Sequence, residues 1–257
     1  MGPVRGEIMW QAVLEAVATV GGDGPLDVLD VGGGTGGDAV RLAALGHRVT
    51  VVDPSPDALA SLSRRHAESA SSSGSVTGVL GDAADVAQVV APASQDLVIC
   101  HGVLEHVEDP AGAVRASLAA LRDGGRFSAV VPGRPAAVLS RAMAGDFEAA
   151  QRLTTLRADD WDVRADGPRR FVVDELDALL RGAGLRPERT AALRVFSDLV
   201  PSAIVDLEPG GRDRLHALER AVRDSADFSG ISGGLQCIAC LDLSSPPTDR
   251  GDQHAAV

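Results

Sequence analysis

Residues Leu26–Gly37, L-D-V-L-D-V-G-G-G-T-G-G, constrain this chain more than any other stretch. Apolar Leu26, Val28 and Leu29 lead into Asp30, and five of the six positions from Gly32 to Gly37 are glycine. So many glycines lose too much backbone entropy on folding to serve only as a turn. They fit a strand-to-helix turn whose backbone presses against a ligand. A second acid, Asp53, closes V-T-V-V-D roughly 20 residues further on, the place where a neighbouring strand tip holds a ribose diol. The two together predict a βαβ unit that binds an adenosine-containing cofactor.

The rest of the chain extends that unit. Apolar strands are expected near Asp27–Val31, Arg48–Val52, Ser75–Leu80, Asp96–Cys100 and Gly125–Val131, with helices between them. A helix near Val173–Gly182, a strand near Leu185–Phe196, a helix near Arg212–Ala226 and a strand near Leu235–Leu241 follow. Strand–helix alternation with buried Val/Ile/Leu runs means an α/β fold, a doubly wound sheet with ligands at the carboxyl ends of its strands. Residues 132–170 break the alternation after the fifth strand and read as a helical insertion that lies over the substrate. The insertion carries seven arginines against six acids, nearly neutral in a chain of net charge −12. One domain over residues 1–243 and a disordered polar tail over 244–257 are expected.

Composition narrows the partners. No run of about 18 apolar residues is present to span a bilayer, and the acidic balance offers phosphates little except a local arginine patch. The chain has no Lys, Asn or Tyr, so the lack of any one of them carries no functional weight. Cys100, Cys237 and Cys240 sit in apolar strand patterns. The Cys237–Cys240 spacing sends the two thiols to opposite faces of a strand, so buried thiols in a reducing cytoplasm are expected and no metal site.

The glycine loop satisfies two patterns. Gly32-x-Gly34-x-x-Gly37 fits the dinucleotide fingerprint, and Asp30-x-Gly32-x-Gly34-x-Gly36 fits the first motif of the class I methyltransferases. Asp30 favours the second, because a carboxylate at the strand end accepts an ammonium but repels a pyrophosphate. Gln95–Pro110, Q-D-L-V-I-C-H-G-V-L-E-H-V-E-D-P, resembles the fourth motif of that superfamily, and Gly78–Ala84, with Asp82, sits where it frames the adenine. The chain is therefore identified as similar to the S-adenosylmethionine-dependent class I methyltransferases, whose Rossmann-like sheet is implied here.

Within them it resembles the tRNA 5-carboxymethoxyuridine methyltransferase family, which esterifies the carboxylate of a modified wobble uridine. R-G-E-I-M-W-Q at Arg5–Gln11, M-A-G-D-F at Met143–Phe147 and L-R-V-F-S-D at Leu193–Asp198 carry this narrower likeness. The resemblance implies that Arg5 binds the methionine carboxylate, that Gly32 and Gly33 line the methionine, with Gly34 in the same loop, and that Asp53 holds the ribose. It puts Asp82, Ala83 and Ala84 beside the adenine and His101 on the active-site side of the cofactor. Arg194 and Arg134 are the candidates for gripping an anionic substrate, and Trp161 and Phe147 for stacking on a base. A carboxylate needs no general base; for a hydroxyl or amine, His101, His106 and Glu105 are the candidates. Two departures stand out: Val131-Pro132-Gly133 replaces an aromatic–Asn pair, and A-D-D-W-D at Ala158–Asp162 replaces a basic run. Three functions follow as expectations. They are tRNA modification at a carboxylate, methylation of a small-molecule O or N acceptor, and a non-catalytic cofactor-binding regulator.

Overall fold

The computed structural model describes residues 3–22, 24–69, 73–158 and 160–242, apart from the side chains of residues 3–5 and 202. The expected tail, 244–257, lies outside the described residues. The chain runs α1 (Pro3–Val20), β1 (Asp27–Val31), α2 (Gly37–Ala44), β2 (Arg48–Asp53), α3 (Pro56–Glu68), β3 (Ser75–Leu80), α4 (Val86–Val89), β4 (Gln95–His101), α5 (Pro110–Leu118) and β5 (Leu121–Pro132). Three helices interrupt it, α6 (Arg134–Met143), α7 (Phe147–Thr155) and α8 (Val163–Asp166). Then come α9 (Val173–Gly182), β6 (Leu185–Leu193), α10 (Ser202–Leu207), α11 (Gly211–Val222), α12 (Ala226–Ser229) and β7 (Gly234–Leu241).

The strands form one sheet in the order β3-β2-β1-β4-β5-β7-β6. Neighbours from β3 to β5 are parallel, whereas β7 runs antiparallel to both β5 and β6. Strand order reverses between β1 and β4, so the loops leaving their carboxyl ends diverge and open a crevice. The glycine loop follows β1, and the His101 segment ends β4.

Alternate strand residues feed two cores. Leu29, Val31, Val98, Cys100, Phe127 and Leu180 pack on one face, and Val28, Val49, Val51, Leu97, Ile99 and Ile238 on the other. That two-sided burial is why β1, β4 and β7 read as continuous apolar runs. Cys237 belongs to the first core and Ile238 to the second, so Cys240 faces away from Cys237. All three cysteines are free and buried, and burial pushes the Cys237 thiol up to about 11. Among the described residues no cluster of three or more His, Cys, Asp or Glu is arranged to hold a metal, and no helix is long and apolar enough to cross a membrane.

The structure departs from the sequence pattern in four places. The helix expected near Ala84–Val90 shrinks to the single turn of α4. β5 starts at Leu121 rather than Gly125, with a register shift against β4 between Gln95 and Leu97. The last helix breaks after Val222, and Ser225 begins a separate short turn, α12. β6 stops at Leu193, because Arg194 adopts a left-handed φ of 58° and the next three amides turn to a side chain instead of the sheet.

That side chain is Glu219 of α11, which is 5% exposed. Its carboxylate accepts from the backbone N–H groups of Val195 (3.0 Å), Phe196 (3.0 Å) and Ser197 (2.8 Å). The turn after β6 is therefore built on one buried anion. Replacing Glu219 by Ala leaves three amides without their acceptor. The expected cost is about 2 kcal/mol, a fall in melting temperature of roughly 4–8 °C for a chain of this size. Thermal melts of Glu219→Ala beside an exposed control, Glu68→Ala, check this; equal melting temperatures would contradict it.

Candidate functional site

The glycine loop is held to the sheet by Gly32 N–H donating to Val52 O at 2.7 Å. Gly33 leaves no room for a Cβ, which would collide with the Asp30 carboxylate. Gly34 is different: its φ is +57° and a Cβ there would meet nothing within 4 Å. The loop backbone at Gly34 thus borders open space, as a cradle for a ligand does.

Asp53 closes one side. Its Oδ2 accepts from Gly34 N–H at 2.8 Å and its Oδ1 from Ser55 N–H at 2.9 Å. Ser55 in turn caps α3, whose first residue is Pro56. The carboxylate is 7% exposed and fixed by two elements, and each oxygen keeps a lone pair for a vicinal diol. Next to it, the Asp82 carboxylate accepts from Ala84 N–H at 2.7 Å, and Ala83 is buried behind the turn. The third strand ends at Leu80, before Asp82, which leaves Asp82–Ala84 as a loop beside the Asp53 tip.

Asp30 lies beneath the loop, 8% exposed. Burial, with Asp38 and Asp53 nearby, pushes its carboxyl up to about 7. The Asp38 carboxyl is raised as well, by burial, with Arg41 opposing. Three carboxylates around one crevice disfavour a pyrophosphate and favour a ligand that brings an ammonium and a sulfonium, so the electrostatics separate the two patterns of the glycine loop. Arg5 lies in the first turn of α1, and its side chain is outside the described residues.

Across the crevice stands the segment after β4. Gly102 N–H donates to Val130 O at 3.0 Å, and Val103 approaches so closely that a Cβ on Gly32 would meet its Cγ2 at 2.5 Å. Leu104 anchors the loop in the core at 0% exposure. Arg169 N–H donates to Glu105 O at 2.7 Å, which ties the end of the insertion to this floor. Glu105 is 9% exposed, its Oε2 is sealed with no hydrogen-bond partner among the described residues, and burial raises its carboxyl. His101 is half-buried, with Nε2 2.8 Å from Ser128 Oγ. Burial and then the Arg223 charge push its imidazole down to about 3, so it stays neutral across the physiological range.

Two cavities flank the insertion. One, of about 360 Å³, opens at the carboxyl ends of β5 and β6 between Arg141, Arg170, Arg194, Asp198, Gly133 and Gly233. The larger, of about 990 Å³, lies between the insertion and the α5 and α9 helices and is bordered by Arg134, Trp161 and Phe171. Neither includes the glycine loop, and size alone does not choose between them. The smaller one sits at the carboxyl ends of β5 and β6, the same end of the sheet as the loops that form the crevice.

The two candidate arginines part here. Arg194 donates to Gly233 O at 2.7 Å, lies 3.7 Å from Asp198 and borders the smaller cavity. Arg134 is 9% exposed, pairs with Glu175 at 2.5 Å and donates to Arg170 O at 3.0 Å. Its partner on α9 ties the start of the insertion to that helix, and it borders the larger cavity. Arg170, the last of the insertion's seven arginines, lies beside Arg194; burial, Arg141 and Arg194 lower its hold on a proton, while Glu105 and Asp198 oppose them. Trp161 is 6% exposed and donates to Gly167 O at 2.9 Å, a packing role, whereas Phe147 is 70% exposed.

Comparisons with known proteins find methyltransferases. A family model described as a methyltransferase domain matches residues 29–127. The tRNA 5-carboxymethoxyuridine methyltransferase of Escherichia coli strain K12 is 31% identical over 150 residues, 58% of this chain and 56% of that protein. A ubiquinone biosynthesis O-methyltransferase of Xanthomonas euvesicatoria is 33% identical over 168 residues, 65% of each chain. The chain thus spans little more than half the length of the first of these relatives. Among solved structures, the Burkholderia thailandensis 1,6-didemethyltoxoflavin-N1-methyltransferase bound to S-adenosylhomocysteine superposes with a TM-score of 0.54 at 22% identity, covering 91% of this chain and 78% of that one.

Proposed function

We infer that this chain, which carries a methyltransferase domain on the class I S-adenosylmethionine-dependent methyltransferase fold, transfers a methyl group from S-adenosylmethionine to an anionic acceptor. The observation that carries the reading is the carboxylate-lined glycine crevice, with three arginines clustered at the same end of the sheet. S-adenosylmethionine supplies a methyl on a positively charged sulfur, already activated for displacement. Asp30 neutralises the methionine ammonium, Asp53 takes the ribose diol, and Ala83 and Ala84 form a flat wall for the adenine. Arg5 is the partner proposed for the methionine carboxylate. The floor around His101 and Leu104 excludes water and limits the angles of approach. Arg170 and Arg194 hold the acceptor's negative charge.

The acceptor proposed is the carboxylate of a modified tRNA uridine, on the likeness to the Escherichia coli tRNA enzyme. A second reading, methylation of a small molecule, is favoured by the net charge of −12 and by the ubiquinone relatives. Labelled methyl transfer separates them. The first expects label in carboxymethoxyuridine tRNA as a base-labile ester, with binding that weakens steeply as salt rises; no tRNA binding at low salt sinks it. On either reading Arg170→Ala should raise KM for an anionic acceptor about tenfold, the loss of about 1.4 kcal/mol, with little change in kcat. An unchanged KM would show that the arginine cavity is not the acceptor site.

A further inference from the structure

Behind His101 runs a chain of buried polar groups that cofactor binding does not use. Ser128 on β5 is 0% exposed and Gln236 on β7 is 1% exposed. Gln236 Nε2 donates to Ala12 O at 2.7 Å and to Ser128 Oγ at 3.0 Å, while its Oε1 accepts from the Arg223 guanidinium at 2.5 Å. Arg223, 7% exposed, is paired at 2.8 Å with Glu15 on α1. The amide orientation of Gln236 is fixed twice over, since a carbonyl can only accept and a guanidinium can only donate. Both hydrogens of Nε2 are therefore spent, one of them on Ser128 Oγ.

That leaves the Ser128 hydroxyl proton. Its remaining neighbour among the described residues is His101 Nε2 at 2.8 Å. If Nε2 carried a proton, two donors would face Ser128 Oγ, and a fully buried hydroxyl hydrogen would have no acceptor, a cost of about 1–3 kcal/mol. The arrangement that leaves no buried hydroxyl hydrogen without an acceptor has Ser128 donating to Nε2 and the ring proton on Nδ1, which has no hydrogen-bond partner among the described residues.

We propose that Ser128 and Gln236 are positioning residues that hold His101 as an Nδ1–H donor toward the crevice, so that His101 is no base and the site favours acceptors whose attacking atom has already lost its proton. Nε2 is occupied by a donated hydrogen and Nδ1 bears one, so His101 has no lone pair to offer as a base. Arg223 is the charged group whose field reaches the ring, and it opposes the imidazolium. One carboxylate oxygen of Glu105, Oε2, is sealed from solvent. With a carboxylate acceptor, an oxygen lone pair forms the new O–C bond, the C–S pair leaves with sulfur, and no proton moves. The acceptor half rests on the methyl-transfer reading; the tautomer half does not.

Nitrogen-detected NMR of the histidine rings tests the tautomer without activity, His101→Gln identifying which signals belong to His101. The expected spectrum is a single Nδ1–H tautomer that does not titrate between pH 8 and 5. In Ser128→Ala the ring should become a mixture of tautomers while staying neutral across that range, because burial and Arg223 still act on it. An Nε2–H ring in the wild type, titration above pH 5, or an Nδ1–H ring unmoved in Ser128→Ala overturns the proposal. The wild-type spectrum decides by itself if the variant does not fold. The acceptor half is read from turnover: a carboxylate acceptor is expected to outpace its phenolic counterpart at least a hundredfold at pH 7, and comparable rates overturn it. Failure to bind S-adenosylmethionine would instead refute the methyl-transfer reading and leave the NMR result standing.

Discussion

Replacing Asp53 by Ala is expected to weaken S-adenosylmethionine binding by at least a hundredfold while the protein stays folded. The carboxylate does two jobs at once. It accepts the Gly34 and Ser55 amides and so sets the distance between the glycine loop and the start of α3. Its remaining lone pairs are the proposed ribose contacts. Hydrogen bonds to a charged group contribute about 1.5–3 kcal/mol each, and losing two of them on the ligand corresponds to roughly 10²–10⁴ in affinity. Asp53→Asn should not rescue. Its amide nitrogen would face either the Gly34 or the Ser55 N–H, donor against donor. Titration calorimetry, with circular dichroism to verify folding, checks both variants. A loss below fivefold in Asp53→Ala would mean that the ligand sits elsewhere.

Asp30 makes the second large prediction, and it concerns pH. Its carboxyl is raised from 3.8 to about 7 in the ligand-free fold by burial and by Asp38 and Asp53. Between about pH 4 and 7 the folded protein therefore holds a proton that the unfolded chain releases, so this group's contribution to stability falls as pH rises through that window. Asn in its place removes that penalty. At pH 8 Asp30→Asn should be more stable than the wild type, by up to roughly 4 kcal/mol. The same substitution removes the partner of the ligand's ammonium, so affinity should drop about a hundredfold even as stability rises. In the wild type a cationic ligand binds the ionised carboxylate. Below pH 7 binding must expel a proton, and affinity should decline up to tenfold per pH unit. Affinity that is flat from pH 8 to 5 would show that Asp30 does not face the cation.

The sheet was legible because its signals are local. β1 and β3 carry the bounds that their apolar runs and flanking punctuation predict, and α9 sits between the expected Val173 and Gly182. The glycine loop and Asp53 were legible for the same reason, since a strand, a turn and an acid at the next strand tip occupy one continuous stretch. What could not be read depends on contacts between distant residues. Glu219 looks like a solvated acid of an amphipathic helix, yet it holds three amides more than 20 residues away. Arg134 gives no sign in the sequence of its partner Glu175, 41 residues on. Ser128 and Gln236 give no pattern at all. They meet only because β7 enters the sheet antiparallel between β5 and β6, a placement that alternation alone does not supply. The end of β6 was missed because a left-handed arginine is not written into local propensity; the Glu219 carboxylate over-determines it.

The measurement that bears most directly on the account is calorimetric titration of the full chain at pH 7.5 with S-adenosylmethionine and, separately, with NADH. Three carboxylates around the crevice predict saturable binding of the sulfonium ligand and none of the dinucleotide. Binding of NADH, or no heat with S-adenosylmethionine, would contradict the assignment of the glycine loop and the function built on it.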